Sequence, residues 1–408
     1  MTVTLRASAQ VGIVGAGPAG LVAAAVLARA GVDVCLLERD SRQDVEARAR
    51  AGLIEHRVAE YLQDHGLAAG LLADGVRHGF CDMVCEGRRT RIDYAALSGG
   101  FTHRVYPQQA LVRDLIAQAR TAGCPPRFGR PVRAVTDTAG RPRLIGDGLE
   151  VVCDYVLCCD GPHTLAESLA PGTARAFRYP YDWLTALVTV DRPVEAVLYA
   201  VHADGFAGLM PRTGDRARLY LQVPREDRAG RWTPDGIRAA FRTRTGGPVA
   251  DDLPAVGEIL DVGMLRMRGM VRDRARLGRV LLAGDAAHVL TPSGAKGLNL
   301  AVADAADAAR GLLARLRDRS GADLAGYARR RAAEAWQTQE FSDRLLTLLH
   351  LPEAAGPDPR FLLRLRRERI RHLGRPGPRA AAFAHWYAGS GRDPDPRGPV
   401  GVLRAEDG

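Results

Sequence analysis

Val11-Gly12-Ile13-Val14-Gly15-Ala16-Gly17-Pro18-Ala19-Gly20 is the stretch that decides the fold of this chain. It begins with a short apolar strand and continues through a tight glycine turn into an alanine-rich helix that runs to about Arg29. Gly31 ends that helix, and residues 34–37 predict a second strand with Glu38 at its tip. The stretch therefore predicts a βαβ unit that opens an α/β fold.

The spacing of the glycines indicates what this unit binds. Gly15 makes the turn, Gly17 lets the backbone approach a pyrophosphate, and Gly20 lets the helix pack closely on the strand. The helix N-terminus then faces the phosphate charge, and Glu38 accepts hydrogen bonds from the ribose hydroxyls. Together these features predict a dinucleotide site, although they do not distinguish one dinucleotide from another.

The rest of the chain alternates between helical and strand patterns. Hydrophobic spacing predicts helices over 54–65 and 109–122, a hairpin over 83–92 that turns at Glu86-Gly87, and strands over 183–223. Two further apolar strands end in acid-bearing turns, Asp160-Gly161 after residues 151–159 and Gly284-Asp285 after residues 279–283. A long helical stretch over 297–349 follows, and the tail after Leu373 is predicted to be rich in loops.

This order of elements predicts a discontinuous architecture. A nucleotide-binding domain opens the chain, a mostly β domain interrupts it, and the chain returns to the first domain at Gly284-Asp285. A simple dehydrogenase does not need such a return. A flavin does, because its ring system must lie at the junction with a second domain.

Charge and composition argue against several other classes of protein. The net charge of +10 permits nucleic-acid binding, but the arginines are spread along the whole chain without an aromatic-interleaved cluster, so we expect no nucleic-acid partner. No apolar run is long enough to cross a bilayer, and residues 1–10 do not resemble a signal peptide. The seven cysteines have no metal-ligand spacing, so we expect reduced thiols, no metal site and a cytoplasmic location.

The distribution of lysine points to one position. Lys296 is the only lysine among 57 lysine and arginine residues, and it lies in Gly294-Ala295-Lys296-Gly297-Leu298-Asn299. Arginine ends in a wide planar fork, whereas lysine is a compact charge on a thin stem. A site that accepts only the thinner cation would retain lysine here, and chance survival of a single lysine is the alternative.

Further motifs carry a resemblance to a known family. They are Arg50-Ala51-Gly52-Leu53, Leu97-Ser98-Gly99-Gly100, Val105-Tyr106-Pro107-Gln108, Leu282-Ala283-Gly284-Asp285-Ala286-Ala287-His288 and Gly294-Ala295-Lys296-Gly297-Leu298-Asn299-Leu300. With the glycine turn and Asp160-Gly161, they resemble the class A flavoprotein monooxygenases, and among these the 4-hydroxybenzoate 3-monooxygenases. The resemblance runs from about Val11 to about Leu349 and is weaker in the tail.

The resemblance implies an α/β fold of mixed α+β type. A Rossmann-like FAD-binding domain would comprise residues 1–75, 97–180 and 267–350, with an inserted, mostly β substrate domain of residues 76–96 and 181–266. Residues 351–408 would form a C-terminal helical and loop-rich segment. The resemblance also implies FAD as the cofactor, NADPH or NADH as co-substrate, dioxygen and a small aromatic acid as reactants, and it allows a homodimer.

The resemblance assigns residues to each of these ligands, motif by motif. Those assigned to FAD are Gly15, Gly17, Gly20, Glu38, Arg39, Arg48, Arg50, Gln108, Asp160, Asp285, Gly297, Leu298 and Asn299. Those assigned to the substrate are Trp183, Tyr199, Gly208, Met210, Arg212, Tyr220 and Pro292, and those assigned to catalysis are His78, Tyr199, Pro292, Lys296 and Tyr387. His163 and Arg268 match positions that bind the nicotinamide coenzyme.

These assignments imply a chemistry. The family hydroxylates a phenolic acid ortho to its hydroxyl through a flavin C4a-hydroperoxide. Arg212 would hold the carboxylate, Tyr199 would meet the phenol oxygen, and Tyr387 and His78 would continue a proton relay to solvent. The Pro292 carbonyl would orient the substrate hydroxyl, and Lys296 with Arg212 would supply positive potential for the phenolate.

Three departures from the family keep the substrate and the coenzyme open. Glu167 stands where an arginine helps to hold the nicotinamide phosphate, so the choice between NADPH and NADH is undecided. Gly208 replaces a leucine and Met210 replaces a serine, which predicts more room beside the ring and a preference for a ring-substituted acid such as a 3-amino-4-hydroxybenzoate. A biosynthetic hydroxylase of an amino-hydroxybenzoate and a flavin-binding redox sensor without turnover are the alternatives.

Overall fold

The computed structural model describes residues 5–48, 52–162, 165–212, 214–317, 321–351 and 358–389. Its helices are α1 (Pro18–Arg29), α2 (Arg42–Ala47), α3 (His56–Asp64), α4 (Ala69–Asp74), α5 (Tyr94–Leu97), α6 (Gln108–Thr121), α7 (Leu165–Leu169), α8 (Pro234–Thr245), α9 (Gly247–Asp252), α10 (Lys296–Arg317), α11 (Ala322–Leu349), α12 (Pro359–Leu373) and α13 (Pro378–Ala388). None of the helices in these ranges combines the length and apolarity that crossing a membrane requires.

The strands of the described ranges form two large and two small sheets. They are β1 (Leu5–Val14), β2 (Val34–Leu37), β3 (Leu53–Glu55), β4 (Val76–His78), β5 (Cys81–Cys85), β6 (Arg88–Ile92), β7 (His103–Val105), β8 (Ala134–Thr136), β9 (Arg143–Gly146), β10 (Leu149–Cys158), β11 (Ala174–Arg178), β12 (Tyr181–Val190), β13 (Val197–Val201), β14 (Ala207–Pro211), β15 (Arg216–Pro224), β16 (Val256–Leu265), β17 (Arg268–Arg272), β18 (Arg276–Leu277), β19 (Val280–Leu282) and β20 (His288–Val289). Helices and strands thus mix along the chain, which confirms the predicted fold class.

The first large sheet carries the glycine turn. Its strand order is β18-β19-β10-β1-β2, and β19, β10, β1 and β2 run parallel to one another. Because parallel strands end at the same edge, the glycine turn after β1, Asp160-Gly161 after β10 and Gly284-Asp285 after β19 meet there. α1 packs against α6 and α10, and its alanine-rich stretch from Ala19 to Leu27 is buried. The sheet edge therefore brings together three motifs that are far apart in sequence.

The second large sheet is mostly antiparallel and has the order β16-β12-β15-β14-β13-β5-β6. The predicted hairpin is confirmed as β5 and β6, joined by Glu86 (φ 50°) and Gly87 (φ 67°). Two consecutive left-handed residues are what a tight hairpin turn requires. β5 pairs in parallel with β13, so an early hairpin joins a sheet whose other strands come about a hundred residues later in the chain. The domain boundaries predicted from the sequence stay predictions.

The tail differs from the prediction. It was expected to be rich in loops after Leu373, yet residues 378–388 form the helix α13. Pro378 occupies the first turn, where its missing N–H costs nothing, and Gly389 ends the helix in a left-handed conformation. The proline and glycine that suggested loops are therefore the end signals of a helix, and this helix buries Tyr387.

Candidate active site

A cleft of about 1170 Å³ is lined by residues from both large sheets. The first sheet contributes the residues of its three turns, and the second contributes side chains of β12, β15 and β16. Ten of the residues assigned to the cofactor line this cleft, namely Gly15, Gly17, Glu38, Arg39, Arg48, Gln108, Asp160, Asp285, Gly297 and Leu298. Arg212, Tyr220, Pro292 and Arg268 line it as well. The structure thus brings the predicted cofactor, substrate and coenzyme positions into one space.

The glycine turn has little room except where a ligand would approach. Gly15 has φ +102°, and a Cβ there would lie 2.3 Å from the carbonyl oxygen of Cys159. A Cβ on Gly20 would lie 2.0 Å from the carbonyl oxygen of Gly15, so helix and strand touch as predicted. A Cβ on Gly17, in contrast, would meet no heavy atom within 4 Å. The open side of Gly17 faces the cleft, at the N-terminus of α1.

Glu38 is buried and ties the turn to the end of β2. Its two carboxylate oxygens accept hydrogen bonds from the amides of Ala16 (2.6 Å) and Asp40 (3.0 Å). Each carboxylate oxygen can accept a second hydrogen bond. The side chain can therefore hold the turn in place and still receive ribose hydroxyls from the cleft.

Asp160 carries an unsatisfied oxygen. Its Oδ2 accepts from the amide of Leu165 (3.3 Å), whereas Oδ1 is buried without a hydrogen-bond partner among the described residues. Burial raises the pKa of this carboxyl to about 6. A hydroxyl donated by a ligand in the cleft would satisfy Oδ1 and favour the ionised form.

The side chain of Asn299 bonds within the protein. Its side chain accepts from the amide of Glu55 (2.9 Å) and donates to the carbonyls of Leu53 (3.0 Å) and Ala295 (2.9 Å). The side chain is fully buried and does not line the cleft, so the assigned contact between Asn299 and the cofactor is left to the backbone and stays a prediction. Its role is to hold β3 against the start of α10. Two other assigned positions, Arg50 and His163, lie outside the described residues.

A second, small cavity of about 30 Å³ adjoins the cleft. It shares Arg212, Tyr220, Pro292 and Ala295 with the cleft, and its other walls include Trp183, Tyr199 and Met210. An engineered cavity that binds benzene measures roughly 150 Å³. An aromatic ring must therefore extend toward the cleft or displace a wall, and Met210 is the most adaptable side chain available.

Tyr199 and Tyr387 form a buried hydroxyl pair. Their oxygens are 2.9 Å apart, and each side chain is at most 1% exposed. Burial raises the pKa of both phenols above the ordinary value, so both are neutral at pH 7. Tyr199 lines the small cavity and Tyr387 stands behind it, an arrangement in which a proton can pass from one hydroxyl to the next.

His78 lies near this pair, but among the described residues no hydrogen bond joins it to either tyrosine. The small sheet β3-β7-β4 places Glu55, His103 and His78 side by side. The hydroxyl of Tyr94 donates to the His78 carbonyl (2.6 Å) and contacts Nδ1 of His103 (3.0 Å), and the Tyr94 ring packs 4.9 Å from that of Tyr387. Burial lowers the pKa of His78. The direct link from Tyr387 to His78 in the predicted relay stays a prediction.

Lys296 lies outside the walls of both cavities, and its assigned effect on the substrate stays a prediction. It was expected to supply positive potential to the substrate, but its ammonium is buried and does not line either cavity. Nζ instead donates to Oε1 of Glu55 (2.7 Å) and to the carbonyl of Tyr387 (2.7 Å). Because the carboxylate offsets its charge, Lys296 acts by holding the end of α13 in place.

Glu55 was missed by the sequence reasoning. It lies next to the Arg50-Ala51-Gly52-Leu53 motif and pairs with a residue 241 positions away. A lone lysine in an arginine-rich chain was the available signal, because a buried ammonium needs a carboxylate. A Cβ on Gly389 would lie 2.1 Å from Oε2 of Glu55, so the glycine that ends α13 also lets this carboxylate approach.

Gly208 does not open a space beside the pocket. The missing side chain was expected to leave room, but a Cβ at this position would lie 2.8 Å from Cζ of Phe206. Gly208 is also absent from the described residues that line either cavity. The Phe206 ring already fills the space directly over Gly208, so this glycine does not itself form a wall of the pocket, and the preference for a ring-substituted acid stays a prediction.

Arg212 and Arg218 place two guanidinium groups on the cleft wall beside Tyr220. Arg218 is 7% exposed and pairs with Asp261 at 3.4 Å. Burial lowers the pKa of Arg212, and the nearby charge of Arg218 acts in the same direction. Positive charge is therefore concentrated where the small cavity meets the cleft, which suits an anionic ligand.

A comparison with protein families decides the class. The model of the FAD binding domain family matches residues 8–342. The chain belongs to this family. The family identity confirms the expectation of a FAD-dependent aromatic monooxygenase and of FAD itself as the bound cofactor.

Individual relatives of this FAD-binding protein are hydroxylases of varied aromatic compounds. The chain is 29% identical over 348 residues to the p-hydroxybenzoate hydroxylase of Acinetobacter baylyi, covering 84% of this chain and 86% of that protein. It is 30% identical over 376 residues to the 6-methylpretetramide 4-monooxygenase of Streptomyces rimosus, covering 83% and 85%. Three other curated relatives are longer, and the chain spans 59% to 63% of their length.

A solved structure has the same fold. The p-nitrophenol 4-monooxygenase of Pseudomonas putida aligns with a TM-score of 0.79 at 19% identity, over 95% of this chain and 100% of that chain. This similarity concerns the fold alone.

The cleft of this FAD-binding protein fits its cofactor. Gly17 leaves an open approach to the α1 N-terminus for a pyrophosphate, Glu38 retains acceptor positions for ribose, and Oδ1 of Asp160 needs a donor. Asp285 lines the cleft on the opposite turn, and the first amides of α10 near Gly297 face the same space. These are the residues that would hold FAD.

We expect Gly17→Val to weaken FAD binding at least tenfold while the apoprotein stays folded. The new side chain meets no protein atom on its first carbon but projects into the phosphate approach. Flavin fluorescence titration of the apoprotein measures the change. Gly230→Val, at another glycine whose Cβ would meet nothing within 4 Å, is the matched control and should bind FAD normally. Unchanged FAD affinity in the Gly17 variant would contradict this placement of the pyrophosphate.

Proposed function

We propose that this enzyme hydroxylates a monocyclic phenolic acid ortho to its hydroxyl, using a reduced nicotinamide and dioxygen. The observation that carries the proposal is the small cavity, whose walls include both a buried tyrosine that is hydrogen-bonded to a second one and a half-buried arginine. A phenol and a carboxylate on one ring would meet these two groups. The 29% identity to a p-hydroxybenzoate hydroxylase supports the same substrate class.

Arg212 is the group that would bind the carboxylate. Its guanidinium lies on the wall shared by the cavity and the cleft, beside Tyr220. Burial of a cation is unfavourable, and a carboxylate that accepts two parallel N–H bonds offsets that cost. The Tyr220 hydroxyl can donate to the same carboxylate. The acid end of the substrate would thereby be fixed.

Tyr199 is the group that would receive the phenol proton. The substrate hydroxyl donates to Tyr199, whose own proton can move to Tyr387 because the two oxygens are 2.9 Å apart. The Pro292 carbonyl accepts from the amide of Ala295 (3.0 Å) and retains one lone pair for the substrate hydroxyl. A phenolate is a stronger nucleophile at its ortho carbon than a phenol, so removal of this proton activates the ring.

When bound, FAD would supply the redox chemistry, in which electrons from the coenzyme activate dioxygen toward the ring carbon. The protein excludes water from that oxygen by packing Trp183, Tyr199 and Met210 around the ring position. Lys296 and Glu55 keep α13, and with it Tyr387, in register with Tyr199. The side chains therefore bind, orient and deprotonate the substrate, and they shield the reacting atoms.

Arg268 supports the assignment of a nicotinamide coenzyme at the cleft. It pairs across strands with Arg178, and both guanidiniums line the cleft. Like charges directly opposite each other repel, and an anionic phosphate between them relieves the repulsion.

Glu167 forms an ion pair with Arg272 (2.9 Å), so this acid has a partner in the protein. The choice between NADPH and NADH stays open, and the cytoplasmic location and the homodimer stay predictions.

Two alternatives are retained from the sequence. A ring-substituted relative such as an amino-hydroxybenzoate remains a candidate substrate, because Met210 can repack around a substituent. A flavin-binding redox sensor without turnover is the alternative from another class, and the set of Tyr199, Arg212, Tyr220 and Pro292 around one cavity argues against it.

A substrate screen tests the proposal. NADPH and NADH oxidation, oxygen uptake and product formation are measured with a panel of benzoates that vary the hydroxyl, the carboxylate and one further substituent. The proposal expects turnover only when a ring bears both a hydroxyl and a carboxylate. Oxidation that no phenolic acid stimulates would support the sensor, and turnover of phenols without an acid group would contradict the role of Arg212.

We expect Arg212→Ala to weaken binding of the phenolic acid while flavin reduction by free coenzyme changes little. Loss of a charge-assisted, bidentate pair costs on the order of 2–4 kcal/mol. Equilibrium titration of the acid against flavin absorbance measures the loss. Arg216→Ala is the matched control, because Arg216 is an exposed arginine only four residues further along the chain, at the start of β15. Equal affinity in the Arg212 variant and the wild type would place the carboxylate elsewhere.

A further inference from the structure

Gly208 lies between the two tyrosines of the small cavity. In the second sheet it pairs with Tyr199 on β13 and with Tyr220 on β15. Directly paired residues point to the same face of a sheet, so a side chain at position 208 would stand in a row with both tyrosines. Both tyrosines line the cavity, whereas position 208 contributes only a hydrogen to that row.

Phe206 occupies the space that Gly208 leaves. Its ring approaches to 2.8 Å of the position that a Cβ of residue 208 would take, a distance at which one of the two must move. The Phe206 amide donates to Oε1 of Gln222 (3.0 Å), and its carbonyl accepts from the Gln222 amide (2.9 Å) and from Arg244. Because the backbone is fixed on both sides, the ring is the part that can shift.

Trp183 connects this ring to the cavity. Phe206 and Trp183 stack with centroids 4.7 Å apart at 24°, and both are fully buried. Trp183 lines the cavity and Phe206 does not. The Trp183 indole donates to Nε2 of His350 (2.8 Å), whose Nδ1 donates to the Leu346 carbonyl (2.9 Å). Residue 208, the Phe206 ring and the Trp183 ring are therefore successive layers beneath the cavity.

We propose that Gly208 and Phe206 act as a pair that sets the size of the aromatic pocket through Trp183, and so determine which ring-substituted phenolic acids the enzyme accepts. This rests on the proposed function for its substrate class. Because Gly208 has no side chain, the Phe206 ring can lie flat against the sheet. The Trp183 ring that stacks on it then stays back from the cavity. A side chain at position 208 would lift Phe206 against Trp183, because close-packed interiors transmit such a displacement. The Trp183 ring would then move toward the cavity and narrow the space beside the substrate ring.

Gly208→Ala is the test, since Gly208 has no left-handed φ and alanine is allowed there. We compare kcat/KM and dissociation constants for 4-hydroxybenzoate and 3-amino-4-hydroxybenzoate. The variant should lower the kcat/KM for the substituted acid, relative to that for the unsubstituted acid, about tenfold. This is the smaller end of the discrimination that one methylene group causes. Phe206→Leu in the Gly208→Ala background removes Cζ and should restore the ratio. Gly230→Ala is the matched control.

A crystal structure of Gly208→Ala separates this proposal from the proposed function. Displaced Phe206 and Trp183 rings would support the layered arrangement even if neither acid were a substrate, in which case only the proposed function would fail. A Trp183 ring that stays in place would overturn the inference. So would an unchanged ratio of the two acids in both the single and the double variant.

Discussion

Tyr199→Phe is expected to retain FAD and the phenolic acid but to lose most of its hydroxylation, by a factor of roughly 10²–10⁴. Without this hydroxyl the proton of the substrate phenol has no path to Tyr387, so the phenol stays neutral in the cavity. Coenzyme oxidation should continue, and its reducing equivalents should leave as hydrogen peroxide. The ratio of hydroxylated product to coenzyme consumed measures this uncoupling directly.

The pH dependence of the Tyr199 variant gives an independent check. An ordinary phenol ionises with a pKa of about 10. As the pH rises toward that value the substrate loses its proton to solvent, so the defect of the variant should shrink. Tyr155→Phe, which removes a hydroxyl contacted by Arg315 at the first sheet, is the matched control and should stay coupled. A coupled Tyr199 variant at pH 7 would remove this residue from the relay.

Lys296→Met is expected to lower the free energy of unfolding by about 3–5 kcal/mol, because it leaves the buried Glu55 carboxylate without the ammonium that now contacts it. The double variant Glu55→Gln with Lys296→Met should recover most of the loss, since it buries no charge. Chemical denaturation of the holoenzyme measures both. Lys296→Arg should also destabilise, because a planar fork needs more width than this site offers.

The control for the Lys296 variant is an ion pair between a basic and an acidic side chain at the protein surface. Arg344 and Glu340 lie 2.7 Å apart, with both side chains more than half exposed. Exposed pairs contribute at most about 1 kcal/mol, so Arg344→Met should change stability little. If Lys296→Met were no more destabilising than Arg344→Met, the buried pair would have no structural role.

Local patterns predicted much of the fold. The glycine turn, the hairpin at Glu86-Gly87 and the helix near Gln109 follow from dihedral preferences and hydrophobic spacing over a few residues. The tail helix was missed because Pro378 and Gly389 were read as loop signals, although the same residues mark helix ends. The position within an element decides what proline and glycine mean, and composition alone does not give that position.

The site was harder to predict where it depends on packing between distant segments. The partner of Lys296 is 241 residues away, and Asn299 turns its side chain toward β3 instead of the cleft. Phe206 fills the space of Gly208 because of how its ring lies, which no spacing rule specifies. Gly15 and Gly17, whose roles depend on the backbone, line the cleft, as do predicted side chains such as Glu38 and Arg212. The directions of the Lys296 and Asn299 side chains depend on tertiary contacts and could not be predicted from spacing.

The helix that carries Tyr387 has a consequence for how the enzyme is made. Protein synthesis runs from the N-terminus, so the last core strand of the first sheet, ending at Leu282, leaves the ribosome about 100 residues before Tyr387. The cofactor cleft can thus be assembled while Tyr199 still lacks its hydroxyl partner. A nascent chain at that stage has a place for FAD but no Tyr199–Tyr387 hydroxyl pair, and only the docking of α13 onto Lys296 and Glu55 completes that pair.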